Sequence, residues 1–160
     1  MYQGNNEARE KFYFVLEWLL AVTRRYPGPL RFGLAHISYE DPKRLGEVYG
    51  AKEASLRLDE VMQSLRSALR KTDLVSREGI DFWIIVPFTD EKISDKIKYI
   101  LESASLAGLG IVERDLSFFL LPLTDIPLSE DVTPAELLAF LKENRSVLSH
   151  RDVTLPASTS

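Results

Sequence analysis

Apolar residues recur at helical spacing in four stretches of the chain and crowd into strand-like runs in four others. Phe12, Val15, Leu16, Leu19 and Val22 share one helical face, which predicts a helix over residues 7–25, ended by Pro27-Gly28-Pro29. Leu30, Phe32 and Leu34 alternate along residues 30–37, as a strand requires. A helical stretch follows over residues 42–71, with Ala54, Leu58, Val61, Met62, Leu65 and Leu69 on one stripe. Residues 74–77 and 82–87 read as two strands of a hairpin. The second, "FWIIVP", is apolar on both faces and so predicts a central strand. A helix begins near Thr89, with Asp90 and Glu91 favourable in its first turn. Ile93, Ile97, Ile100, Leu101 and Ala104 line its buried face, and Gly108 and Gly110 end it. Residues 116–123 form a last apolar strand, and residues 134–147 a last helix.

With the first and last helices set aside, the order is β-α-β-β-α-β. This is the ferredoxin-like, split βαβ arrangement, a mixed α/β (α+β) fold whose central, mostly antiparallel sheet is flanked by helices, here expected on one face. The domain is expected over residues 6–148, between a mobile N-terminus (1–5) and a flexible polar tail (149–160). That fold serves many functions and selects none.

Composition narrows the field. The chain has 160 residues, enough for one domain with a real core. Its net charge of −4 gives no basic face for nucleic acid. Without cysteine there are no disulfides, thiolate metal sites or cysteine nucleophiles, which suits a cytoplasmic protein. The apolar run "FYFVLEWLLAVT" follows Arg9 and Lys11, but Glu17 interrupts it and no small-residue cleavage pattern follows. No run reaches the roughly 18 apolar residues of a membrane span, so no membrane contact by this segment is expected.

Side chains with chemistry are few. His36 reads as a packed or edge histidine, and His150 lies in the tail. Two histidines, with no serine in a nucleophile-elbow context, make no case for a triad. The acidic stretches "SYED" and "SEDVTPAE" fall at helix starts, where capping explains them better than a metal. The hairpin turn Glu78-Gly79-Ile80-Asp81 is stranger, because an isoleucine sits at a tip that is usually polar.

The stretch 31–89 resembles the GGDEF (diguanylate cyclase) family. Lys43, Tyr49-Gly50, Leu69-Arg70, Asp73, Arg77, Gly79, Phe82 and Pro87 fall in register with that family's motifs. "LLAFLKENR" resembles its closing helix, with Lys142 and Arg145 at the places of the triphosphate-gripping cations. The resemblance implies a bacterial signalling domain related to enzymes that join two GTP molecules into cyclic di-GMP, a reaction needing carboxylate-held metal ions. The departures fall on those parts. Ser38 stands at the first metal carboxylate, Glu40 at the second, Gly46 at the base-pairing asparagine, Ala51 at the histidine and Ser55 at an aspartate. "EGIDF" is one residue short of the signature, leaving Asp81 as its one plausible metal ligand, and Ile80 fills a position of glycine. The opening motif is replaced by "NNEAREKF". Diguanylate cyclase activity is therefore not expected, and Mg2+ would matter only to residual activity.

"RKTD", Arg70 to Asp73, keeps the family's Arg-x-x-Asp, an inhibitory site for cyclic di-GMP. Arginine can donate to guanine O6 and N7, and a carboxylate can accept from the opposite edge of the same base. Lys71, Lys96 and Lys98 are candidates for a supporting cation. Equally, Arg70 suits a helix C-terminus and Asp73 the turn after it. Two readings stay open: a catalytically inactive cyclic di-GMP receptor, and a non-binding structural or dimerising domain. An active cyclase is a distant third. The expected partners are cyclic di-GMP, other domains of a longer signalling protein or a partner protein, and a second copy.

Overall fold

In a computed structural model the chain forms five strands and six α-helices, described over residues 3–26, 28, 30–87, 92–123 and 131–157. Helix α1 (Gln3–Arg25) precedes strand β1 (Phe32–Tyr39). Helices α2 (Pro42–Tyr49) and α3 (Ala51–Ala68) lead to the hairpin β2 (Leu74–Glu78) and β3 (Asp81–Val86). Helix α4 (Lys92–Glu102) and a 3-10 segment (Ser103–Ile111) lead to β4 (Arg114–Leu121). Helices α5 (Pro134–Glu143) and α6 (Arg145–Leu148) lead to β5 (Arg151–Leu155). The sheet order is β2-β3-β1-β4-β5, with every neighbouring pair antiparallel. The expected β-α-β-β-α-β core is present, with Trp83–Val86 buried inside a central strand.

Several expectations need correction. The polar tail holds β5, which pairs along β4, so residues 151–155 complete the sheet. Helix α1 begins at Gln3, inside the segment expected to be mobile. The long helix is two, because Gly50 takes a positive φ of 80° and breaks the run between α2 and α3. Helix α4 gives way to the 3-10 segment at Ser103, while Thr89, Asp90, Glu91, Pro27 and Pro29 lie outside the described residues.

The helices also cover both faces of the sheet. Strand alternation sends Ala35, Ile37, Phe82, Ile84, Val86, Leu116 and Phe118 to one side, where they meet Leu58, Val61, Met62 and Leu65 of α3 and Ile97 and Leu101 of α4. Phe32, Leu34, Trp83, Ile85, Phe119 and Leu121 point the other way, against Phe12, Leu16, Leu19 and Leu20 of α1 and Leu137, Leu138 and Leu141 of α5. Two strong N-caps set the helices that enter this frame. Asp41 accepts the Arg44 N–H before α2, and Thr133 and Glu136 form a reciprocal capping box before α5. Among the described residues no helix is long and apolar enough to cross a membrane.

Candidate functional site

One face of the sheet changes character along its strands. Its inner row, Leu74-Ile85-Leu34-Phe119, is apolar. The next row reads Ser76-Trp83-His36-Ser117-Asp152, and the outermost Glu78-Asp81-Ser38-Asp115-Thr154. Strand pairing therefore brings Asp81 and Asp115 to either side of Ser38, on the α1/α5 face. This end of the sheet is the candidate site.

Each of its carboxylates is engaged within the chain. Asp81 Oδ1 lies 2.9 Å from His36 Nε2, and Oδ2 accepts from Lys142 Nζ at 2.8 Å. The His36 ring is fully buried and stacks on Trp83, with centroids 4.2 Å apart. Arg145 is the hub of the other side, 2.9 Å from Asp115, 3.4 Å from Glu40 and 3.9 Å from Asp152. Thr154 Oγ1 donates to Asp115 at 2.7 Å, and Ser117 Oγ to Asp152 at 2.9 Å. At the β2 edge Glu78 accepts from Tyr13 Oη and pairs with Arg9 at 2.8 Å.

The titration directions follow from these contacts. Burial works to raise the Asp81 pKa, but bonds from His36 and Lys142 outweigh it, and the carboxyl sits below its ordinary value. Asp115 behaves alike: burial raises it, while Glu40, Thr154 and Arg145 together hold it low. Glu40 is pushed up, first by its hydrogen bond with Asp115 and then by burial. Of the two neighbouring carboxyls, Glu40 is therefore the one pushed up and Asp115 the one held low.

The hairpin tip is equally tied. Arg77 donates to Gly79 O at 2.8 Å, Ser55 O at 3.2 Å, Ser55 Oγ at 3.3 Å and Asp59 at 2.7 Å. Ile80 is packed against the α3/α4 core, and its carbonyl accepts the Tyr39 N–H at 3.2 Å. The isoleucine at the tip is thus half-buried against the core, its turn made by Gly79 at φ 60°.

The remaining sequence candidates are scattered. Ser38 is buried in β1, Lys43 is exposed in the first turn of α2, and Gly46 lies on the same helix. Ser55 sits on α3, under Arg77. Arg70 and Asp73 flank the turn between α3 and β2, at the opposite end of β2 from Glu78. Asp73 is only 9% exposed, and its Oδ2 accepts the Arg70 N–H at 3.1 Å while its own N–H donates to Arg70 O at 2.9 Å. The expectation that both side chains reach the surface holds for Arg70, which is exposed, and fails for Asp73.

A magnesium ion requires free oxygen donors about 2.0–2.1 Å from it. Asp81 has both oxygens occupied, and Asp115 lies two strands away, about 10 Å at ordinary strand spacing. Among the described residues no group of three or more acidic or histidine side chains could hold a metal. The residues present do not fit the metal that the family resemblance implies.

The reading of His36 as a packed histidine holds, since it is fully buried, but its pairing with Asp81 and the parts played by Asp115, Asp152 and Glu78 had no signal in the sequence. They join the site through strand register, which one chain's pattern does not reveal. "SYED" and "SEDVTPAE" do cap helices, through Asp41 and Thr133.

No family profile and no curated protein matches the chain, but solved structures do. The GGDEF domain of TpbB (YfiN) from Pseudomonas aeruginosa superposes with a TM-score of 0.61 at 19% identity, covering 88% of this chain and 82% of that one. The GGDEF domain of DgcB from Caulobacter crescentus, in complex with cyclic di-GMP, gives 0.60 at 13% identity, covering 86% and 82%. The active GGEEF domain of a diguanylate cyclase from Vibrio cholerae gives 0.61 at 12% identity, covering 86% of each. The chain has the fold of a GGDEF domain.

Proposed function

We propose that this GGDEF-fold chain is a non-catalytic signalling domain that receives cyclic di-GMP at the Arg70–Asp73 turn. One observation carries the non-catalytic part: both oxygens of Asp81 are spent on His36 and Lys142. The carboxylate and the cation that the reaction would use on a metal and a triphosphate neutralise each other instead. The same fold in the Vibrio cholerae protein is an active enzyme, so the fold leaves the question to these side chains.

For the ligand, the support is an exposed arginine, Arg70, on a turn held by Asp73. Arg70 supplies the donors for guanine O6 and N7, and Asp73 sets the backbone from which they project. A second reading, a structural domain that binds no nucleotide, is favoured by the burial of Asp73.

Titration calorimetry with cyclic di-GMP on wild type, Arg70→Ala and Asp73→Asn separates the two. The receptor reading expects micromolar binding, weakened about tenfold to a hundredfold by Arg70→Ala. Asp73→Asn keeps an oxygen for the Arg70 N–H and should lose less. A silent wild type puts the structural reading in its place.

A further inference from the structure

Helix α1 has two apolar sides. Phe12, Leu16, Leu19 and Leu20 are buried against the sheet, yet Phe14 and Trp18 are 73% and 59% exposed on the opposite side. Two large aromatics one helical turn apart and facing solvent mark an interaction surface. They sit in a longer pattern. Glu7, Lys11, Phe14, Trp18, Ala21 and Arg25 are all exposed and alternate four and three residues apart, the spacing of a seam between two helices.

We infer that this face of α1 associates with the same face of a second copy, antiparallel, about an axis midway between Phe14 and Trp18. The order of charges selects both occupant and direction. Antiparallel pairing sets Phe14 on the partner's Trp18, Lys11 on the partner's Ala21 and Glu7 on the partner's Arg25. Parallel pairing opposes Glu7 to Glu7, Lys11 to Lys11 and Arg25 to Arg25, three like-charge contacts. The seam is thus complementary to itself in one direction only, as a two-fold interface requires. Glu17, on one flank near the axis, is the one like charge that this arrangement brings together. A single pair of helices gives a small interface, below about 1,200 Å2, so the association is weak and concentration-dependent.

Sedimentation equilibrium over a wide concentration range, with no nucleotide present, tests this independently of the proposed ligand. The mass should rise from one chain towards two. Phe14→Ala and Trp18→Ala should each weaken association about tenfold or more, with melting unchanged because both side chains face outward. Glu17→Gln should strengthen it. A wild type that stays monomeric, or variants that associate as well as wild type, overturns the proposal. Direction is read by oxidation, since the chain has no cysteine of its own. A mixture of Lys11→Cys and Ala21→Cys chains should cross-link. Ala21→Cys alone should not, because its two copies lie about 15 Å apart along the axis. The reverse result overturns the antiparallel arrangement.

Discussion

The two faces of the sheet differ by one residue in register and by everything in chemistry. The row Arg77-Phe82-Ile37-Leu116-Val153 belongs to the α3/α4 side, and all but its edge positions are fully or nearly fully buried apolar side chains. The neighbouring row, Glu78-Asp81-Ser38-Asp115-Thr154, belongs to the α1/α5 side and is polar throughout. A face that is apolar through its central rows holds a fold together, and the buried Arg114 at its end is bonded to the Leu101 and Pro156 carbonyls. A face that turns polar at one end leaves room for a site, and here internal ion pairs fill that room.

The contrast can be broken most violently on the apolar side. Ile84 is fully buried in β3, and Ile84→Ala should cost about 2–5 kcal/mol, read by chemical denaturation. Next comes Arg145→Ala, which strands the buried Asp115 without its cation. We expect a loss of about 1–3 kcal/mol, less than for a fully buried pair because the Arg145 side chain is 29% exposed.

Asp81→Asn should cost about 1 kcal/mol at neutral pH, since Lys142 is half exposed and His36 keeps an acceptor. The sign of its pH dependence is fixed by the lowered folded pKa. The stabilisation from Asp81 is present above the ordinary carboxyl value of 3.8 and disappears as pH falls through the lower folded value. Wild type and Asp81→Asn should therefore converge in strong acid, in parallel pH series of denaturation curves. Glu40 works in the opposite sense. Its raised pKa contributes stability below the ordinary carboxyl range, lost as pH rises through the folded value. The smallest effect is at the turn itself. Gly79→Ala meets no neighbour within 4 Å but must hold φ 60°, at about 1 kcal/mol, seen as a small drop in Tm.

The apolar side was the legible one. Periodicity located α3 and α4 from Leu58, Leu65, Ile97 and Leu101, and the unbroken run at Phe82–Val86 marked the central strand. What stayed hidden depends on partners distant in sequence. "RDVTL" has no strong strand pattern of its own, and becomes β5 because β4 offers it an edge. Ile80 looked misplaced because its packing against the α3/α4 core is tertiary. Ser38, Glu40 and Asp81 were read from their places in a motif, but the pairing of Asp81 with His36 and Lys142 spans 45 and 61 positions. The sequence offers Asp73 as a ligand group or as a residue of the turn after the helix, and its hydrogen bonds with the Arg70 backbone place it in that turn.

In the function proposed above, the retained carboxylate at the polar end, Asp81, serves the fold rather than a metal and a nucleotide. Incubation of the purified chain with GTP and magnesium or manganese, beside a working cyclase as control, tests it directly. No cyclic di-GMP is expected from this chain under conditions where the control turns over. Product formed by wild type and abolished by Asp81→Ala would show that Asp81 leaves His36 and Lys142 to do catalysis, and would overturn the non-catalytic role.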